Sequence, residues 1–375
     1  MINILHVYKT FLNDTFGGVE QVIAQIAMTP NTSDYCHTVV SLSKNPGTDT
    51  KNCFGIKNIR YRESLNIASN TMSFDLLRDF SRIVEPYDVI HYHFPWPFAD
   101  LLHGFSRIKK PSVLTYHSDI VRQKKLLFFY RPLMHRFLHA MDYIVATSPN
   151  YFATSEVLSQ YKSKVRVIPI GLNKENYPIV PLDRDAYWRQ RFGDRFFLFV
   201  GVLRYYKGLH ILLDALKNTN FPVVLVGTGP IEAELKARAT ALNLNHVHFV
   251  GQVSEVDKVA LLRLCTSVVF PSHLRSEAFG VSLLEGAMFG KALISAEIGT
   301  GTSYINVHEK TGLVVPPDDP IALSQAMFFI WENPDRAKLM GQAAAARYWN
   351  LFTGHQMITE YEKIYINATS MVDKI

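Results

Sequence analysis

The chain of 375 residues is 48% apolar and 19% charged, a composition that excludes a disordered chain and is long enough for two domains. Its net charge of +6 favours an anionic partner. Cys36, Cys53 and Cys265 form neither a metal-ligand spacing nor an even set, so they read as thiols of a reducing compartment.

The opening "MINILHVYK" reads as a strand rather than a secretory leader. No apolar run reaches the roughly 18–20 residues of a spanning helix. Strands are expected at Ile2–Val7, His37–Leu42, Val89–His91, Ser112–Tyr116, Tyr143–Ala146 and Val165–Ile168. Helical periodicity covers Val19–Met28, Phe74–Val84 and Tyr151–Gln160. This alternation predicts parallel strands joined by crossover helices. At Pro169–Asp183 the string "PIGLNKENYPIVPLD" has three prolines and no periodicity, which marks a linker. Alternation then restarts at Phe196–Gly201, Val223–Gly227, Val247–Gly251, "SVVFPS" and "ALISA", and Asp318 to about Ala368 reads as helical without further strands. The expected class is α/β, with domains at 1–172 and 173–350 and a helix at 351–375 returning to the first.

Ligands of open parallel sheets bind beyond the carboxyl ends of the strands, so residues that follow strands are the candidates. Gly17 and Gly18 in "FGGVEQVI" precede a helix and suit close approach to its amides, or serve a plain tight turn. They do not form the G-x-G-x-x-G fingerprint. Arg204 and Lys207 in "GVLRYYKG" precede a helix starting near Gly208. Cations there oppose the helix dipole, which makes sense if a phosphate supplies the negative charge; otherwise they are solvated surface groups. Gly227 and Gly229 in "VGTGP" form another turn that suits backbone approach by a ligand.

"SEAFGVSLLEG" carries Glu277 and Glu285 in an apolar segment. The first falls in a loop and the second inside a helix starting near Phe279–Gly280. Burying an unpaired carboxylate costs several kcal/mol. The expectation is that ligand hydroxyls satisfy both acids while the amides of Gly280, Val281 and Ser282 donate to ligand oxygens. The plainer alternatives are dipole complementarity for Glu277 and a solvated or salt-bridged face for Glu285.

The E-x7-E of "SEAFGVSLLE", the "KG" of "GVLRYYKG", the "GTGP" turn and the linker "IPIGLN" together resemble the retaining glycosyltransferases of family 4, across essentially the whole chain. The resemblance implies the GT-B fold, two Rossmann-like doubly wound domains facing a central cleft, and a nucleotide-sugar donor. It implies that Glu277 holds donor-sugar hydroxyls and Glu285 the ribose, while Ala278, Phe279, Gly280 and Val281 line the sugar and phosphate. Arg204 and Lys207 would hold the diphosphate in place of a metal, there being no convincing D-x-D pair. Gly251 to Val253 would line the base, and Gly17, Gly18, Gly227 and Gly229 would complete the donor site. "HYHFPWPFADL" and "LTYHSDIVRQKK" also look like family segments, and His117 corresponds to the histidine near the reacting carbon. His91 and His93 are expected to point to opposite faces of their strand and to complete no metal set. Two departures stand out: Val202 replaces a common arginine, leaving the contact to Arg204, and "GTGTSY" has Ser303 where an acid is usual.

These details look most like bacterial mannosyltransferases of O-antigen and exopolysaccharide assembly. They imply GDP-mannose as donor, no cofactor, a glycan or lipid-linked acceptor, and front-face transfer with retention. The acid-free stretch Val121–Ala140 interleaves Arg122, Lys124, Lys125, Arg131 and Arg136 with Leu126, Phe128, Phe129, Leu133 and Phe137, and Pro132 limits its continuity as a helix. It fits either an anionic membrane surface or a crossover helix packed on the sheet. No nucleic-acid motif accompanies the charge. The expected location is the cytoplasm, with peripheral contact at the inner membrane. Within the fold, an epimerase or phosphorylase remains an alternative, as does a non-catalytic sugar-nucleotide-binding subunit.

Overall fold

Buried β-branched runs separated by short turns give two sets of parallel strands, each with its own core. The computed structural model describes the chain except residues 13, 15, 16, 29–33, 47–50, 54, 68, 69, 121–123 and 373–375, and the side chains of 51–53, 124–126, 371 and 372. Arg122 and the side chains of Cys53, Lys124, Lys125 and Leu126 therefore lie outside the described residues. The chain divides into two units, Met1–Gly171 with Gly354–Ile375, and Leu172–Thr353.

The first unit contains strands β1 (Ile2–Val7), β2 (Tyr35–Ser43), β3 (Lys51–Cys53), β4 (Ile56–Arg62), β5 (Leu65–Ile67), β6 (Asn70–Met72), β7 (Val89–Phe94), β8 (Ser112–Tyr116), β9 (Tyr143–Ala146) and β10 (Val165–Val167). Its helices are α1 (Gly18–Ala27), α2 (Phe74–Val84), α3 (Pro97–Phe105), α4 (Lys124–Ala140) and α5 (Pro149–Thr154), together with the C-terminal helix Gly354–Val372. The main sheet runs β10-β9-β8-β7-β1-β2-β4-β3, parallel except for the β3–β4 pair. β7 is buried throughout, as expected of a strand covered on both faces. Tyr92 meets Phe137 of α4 on one side, with ring centroids 5.1 Å apart. His91 meets Tyr365 of the C-terminal helix on the other.

The local chemistry of the helix ends is conventional. Ser73 caps α2 by accepting from the Leu76 amide at 3.3 Å, and Leu76, Phe80 and Val84 form the buried stripe at i, i+4, i+8. The helix expected over Tyr151–Gln160 instead breaks into α5 and a 3-10 turn at Leu158–Tyr161. Ser155 causes the break: it is extended, and its hydroxyl accepts from the Leu158 amide and donates to Asp119. α4, by contrast, runs through Pro132 without interruption.

The second unit contains β11 (Phe197–Val200), β12 (Val223–Val226), β13 (Val247–Gly251), β14 (Ser267–Phe270), β15 (Ala292–Ala296) and β16 (Gly312–Val315). α6 (Leu182–Phe192), α7 (Leu209–Ala215), α8 (Glu232–Ala241), α9 (Glu255–Leu264), α10 (Val281–Met288), α11 (Gly301–Ile305), α12 (Pro320–Glu332) and α13 (Pro334–Leu351) surround them. The sheet is fully parallel in the order β13-β12-β11-β14-β15-β16, which reverses direction between β11 and β14. That reversal opens a crevice at the strand ends, where ligands of doubly wound sheets bind. Among the described residues, no helix is long and apolar enough to cross a membrane.

Candidate active site

Both loops flanking the β11/β14 reversal are held together by glycine geometry. Gly208 adopts φ +68°, and a Cβ there would overlap the carbonyl oxygen of Pro271, so the start of α7 lies tight against the loop after β14. This contact brings Lys207 to Glu277. The Lys207 ammonium donates to Glu277 Oε2, which also accepts from Ser272 Oγ at 3.2 Å. Glu277 is only 9% exposed, and its Oε1 takes no hydrogen bond among the described residues. The Arg204 carbonyl accepts from the Lys207 amide at 3.0 Å, while its exposed side chain makes no hydrogen bond or salt bridge among the described residues.

α10 starts at Gly280, with φ +97°. Gly286 seats it on β14, since a Cβ there would lie 2.7 Å from Val268 Cγ2. The amides of Phe279, Gly280, Val281 and Ser282 donate to no acceptor among the described residues, leaving an open helix N-terminus beside Glu277. Glu285 is 3% exposed, and its Oε1 accepts from Lys258 Nζ at 2.8 Å and from the Tyr177 hydroxyl at 2.9 Å. Burial alone would lower the Lys258 pKa, but the Glu285 and Glu255 carboxylates outweigh it and raise it. Burial, and then Glu285, push the Tyr177 hydroxyl well above its ordinary value.

The expectation that ligand hydroxyls alone satisfy the two acids is thus corrected: each carboxylate already has a lysine. Lys258, Tyr177 and Ser272 were missed by the sequence reading. Lys258 had a signal, because it stands on the face of α9 that buries Leu261 and Leu262. The glycines of "VGTGP" also serve a purpose beyond the one expected. A Cβ on Gly227 would overlap the Gly201 carbonyl oxygen, and one on Gly229 that of Leu203. The protein's own loop makes this close approach, and Gly227 N–H bonds the Gly251 carbonyl at 2.8 Å to stitch the strand-end turns side by side. Gly251 ends β13 and the half-buried Val253 follows it at the end of this row. Ala278 accepts from the Gly301 amide at 2.8 Å, and Phe279 is buried beneath α11. Ser303 does face an acid, donating to Glu297 Oε1 at 2.9 Å.

In the first unit, the carboxylate of Glu20 lies where a Cβ of Gly17 would be, with Thr10 Oγ1 donating to it at 2.6 Å, while Gly18 faces open space. His117 follows β8, and its Nε2 meets His93 Nδ1 at 3.0 Å. His91 and His93 lie on one face of β7, with ring centroids 4.4 Å apart, contrary to expectation. Residues two apart in a strand share a face. His6, His91 and His93 bring ligand atoms within 4.8 Å of one another, as do His210, His273 and Asp318, so two three-residue sets exist that the sequence reading did not foresee. In the first set every ring nitrogen is already hydrogen-bonded, at 2.8–3.1 Å. In the second, both nitrogens of His273 are taken, by Asp318 and the Tyr205 carbonyl. The D-x-D string Asp183 to Asp185 lies on α6, where Asp185 pairs with Arg263 at 3.0 Å.

Two consequences can be measured by denaturant unfolding. Lys258→Met leaves Glu285 buried without its cation and is expected to lower stability by about 3–5 kcal/mol, and Glu285→Gln added to it should restore most of the loss. Equal losses in the single and double variants would contradict this. Burial lowers the His37 pKa to about 4 and that of His117 to about 3, so both stay neutral in the fold. Below pH 6.5 the unfolded chain takes up protons that the fold refuses. The stability from these groups is therefore complete above pH 6.5 and falls towards pH 4, by up to about 1.4 kcal/mol per pH unit for each histidine. His37→Phe should flatten that slope between pH 6.5 and 5; an unchanged slope would contradict the assignment.

Comparison with known proteins agrees with this geometry. Residues 16–176 match the family model "Glycosyltransferase Family 4", and residues 188–347 match "Glycosyl transferases group 1". The chain is 56% identical over 352 residues to the D-rhamnosyltransferase WbpZ of Pseudomonas aeruginosa, covering 94% of this chain and 92% of that one. It is 46% identical over 364 residues to the O-antigen chain mannosyltransferase C of Escherichia coli, covering 97% and 98%. Among solved structures, sucrose-phosphate synthase from Thermosynechococcus elongatus superposes with a TM-score of 0.82 at 20% identity, covering 99% of this chain and 100% of that one. Anabaena HepE in complex with UDP and glucose superposes with a TM-score of 0.77 at 20% identity, covering 97% and 99%. The two doubly wound parallel sheets are those of the GT-B fold, and the chain belongs to glycosyltransferase family 4.

Proposed function

We propose that this glycosyltransferase moves mannose from GDP-mannose, with retention, to a glycan or lipid-linked glycan acceptor in O-antigen assembly. The observation that carries the reading is the strand-end group at the β11/β14 reversal. A carboxylate with one open oxygen, an unpaired arginine, a lysine and open helix amides all lie within one loop system. The open oxygen of Glu277 suits a sugar hydroxyl. Arg204, Lys207 and the α10 amides suit a diphosphate, supplying the positive charge that a metal provides in other sites. Lys207 can serve both groups, because its ammonium has three donors and Glu277 engages one. Glu285 takes the ribose and His117 serves the transferred sugar. The departing phosphate, stabilised by Arg204 and Lys207, accepts the proton of the attacking hydroxyl.

The choice of mannose and of an O-antigen acceptor rests on the names of the two relatives above. The 56% identical relative favours D-rhamnose as a second reading, which differs from mannose only in lacking the 6-hydroxyl. The nucleotide-sugar class is supported by neighbours solved with UDP or UDP-glucose. For location, we place the protein in the cytoplasm at the inner face of the membrane. On α4, Phe128 and Phe129 are 72% and 80% exposed beside exposed Arg131 and Arg136, while Phe137 is buried against the sheet. One side of the helix thus closes the core and the other offers aromatics and cations to anionic lipid.

A transfer assay with GDP-mannose, GDP-D-rhamnose, UDP-glucose and ADP-glucose on lipid-linked acceptors tests the reading. Transfer from GDP-mannose is expected, reduced about ten- to hundredfold by Glu277→Ala through loss of a charged hydrogen bond. Transfer from UDP-glucose alone, or full activity in the variant, would overturn it.

A further inference from the structure

The histidines of the first unit form one continuous hydrogen-bonded line. His37 Nδ1 meets His6 Nε2 at 2.9 Å, His6 Nδ1 meets His93 Nε2 at 3.1 Å, and His93 Nδ1 meets His117 Nε2 at 3.0 Å. Successive rings lie 5.2–5.4 Å apart and are tilted by only 22–28°. The parallel register produces this regularity. His37 is paired with Ile4, two residues before His6; His6 is paired with His91, two before His93; His93 is paired with Thr115, two before His117. Each step crosses to the next strand and advances two residues on the same face, so the line climbs obliquely to the carboxyl end of β8.

The order of atoms along the line matters more than its length. Each link joins the Nδ1 of one ring to the Nε2 of the next. A neutral imidazole has one N–H and one acceptor nitrogen, and a link needs one of each. With all three links made and no ring charged, the four rings must share one tautomer: all Nδ1–H or all Nε2–H. Burial, with neighbouring imidazoles, holds His6 and His93 well below the usual histidine range, which keeps the rings neutral. At the ends, neither His117 Nδ1 nor His37 Nε2 is hydrogen-bonded to a described residue, and His37 is half-buried. His91 stands beside the line and steadies it through Thr115 and Tyr365.

We propose that His37, His6 and His93 are positioning residues that act with His117 as a single tautomeric relay, setting whether His117 Nδ1 donates to or accepts from the ligand. Starting from four Nε2–H rings, a proton bound at His117 Nδ1 releases the Nε2 proton to His93 Nδ1. His93 passes its own Nε2 proton to His6 Nδ1, His6 passes one to His37 Nδ1, and His37 releases its Nε2 proton to water. One proton enters and one leaves, three N–H bonds re-form inside the line, and all four rings end as Nδ1–H with no net charge. His117 thus changes its hydrogen-bonding sense in a core that would not tolerate an imidazolium.

The functional part of this proposal rests on His117 serving the transferred sugar, whereas the tautomer pattern does not. Two-bond 1H–15N spectra of the full chain with 15N-labelled histidine, assigned by single substitutions, are expected at pH 7.5 to show His37, His6, His93 and His117 in one common tautomer. Mixed tautomers or an imidazolium among the four would overturn the relay. His6→Phe cuts the line; it should shift the His117 ring nitrogens towards a tautomer mixture and lower kcat about tenfold or more, with donor KM within twofold. Unchanged His117 shifts in folded His6→Phe, or a loss confined to KM, would overturn it. Should His6→Phe not fold, His37→Phe removes the end link and is read in the same way. Unchanged kcat in His117→Gln would overturn the role of His117 in transfer while leaving the tautomer pattern to stand or fall separately.

Discussion

A buried carboxylate must be met by a cation or by hydrogen bonds, because leaving it unpaired costs several kcal/mol. In the second unit this constraint shapes the end of the sheet. Glu277 and Glu285 each bring a lysine out of solvent, and the loops carrying those lysines must lie where the pairs can close. Gly208, without a side chain, lets the turn after β11 press against the loop after β14. The pair at Glu277 stays open at one oxygen, while the pair at Glu285 lies deeper and includes Tyr177. A donor bound there, as proposed, would meet charges that are already oriented, and the reorganisation cost of assembling them would fall on folding instead of binding.

The first unit meets the same problem with neutral groups. Five imidazoles, His6, His37, His91, His93 and His117, occupy positions along or beside its sheet where a core would ordinarily be apolar. They are tolerable because they satisfy one another and the hydroxyls of Thr115 and Tyr365. Both units use the reversal of a parallel sheet as the place where unusual chemistry collects. In the first, the line of histidines crosses between β1 and β7, where the strand order turns.

Much of this architecture was legible in the sequence, and the reason is physical. Strands of a parallel sheet covered on both faces read as short apolar runs, so β1, β8 and β9 were found at their observed limits. α2 was found because its buried stripe has a clean helical period. The short antiparallel strands β3, β5 and β6 carry no such run and were missed, as were β16 and the parallel strand β4, whose Lys57, Asn58, Arg60 and Arg62 break up its apolar pattern. The glutamates, the lysine at 207 and Arg204 were legible as charges in the wrong place. Their partners were less so: Tyr177 sits in a segment that reads only as linker, and Lys258 needed its helix face to be worked out. The line of histidines was illegible, because it depends on which residue of β2 pairs with which residue of β1. Reading His91 and His93 as pointing apart was an error of strand periodicity.

We propose that Glu277 holds the sugar end of a nucleotide-sugar donor while the neighbouring cations hold its diphosphate. Calorimetric titration of wild type and Glu277→Gln with GDP-mannose and with GDP separates the two ends directly. The substitution is expected to weaken GDP-mannose binding about tenfold or more and to leave GDP binding within twofold, through the loss of one charged hydrogen bond. Equal weakening of both ligands, or of neither, would contradict it.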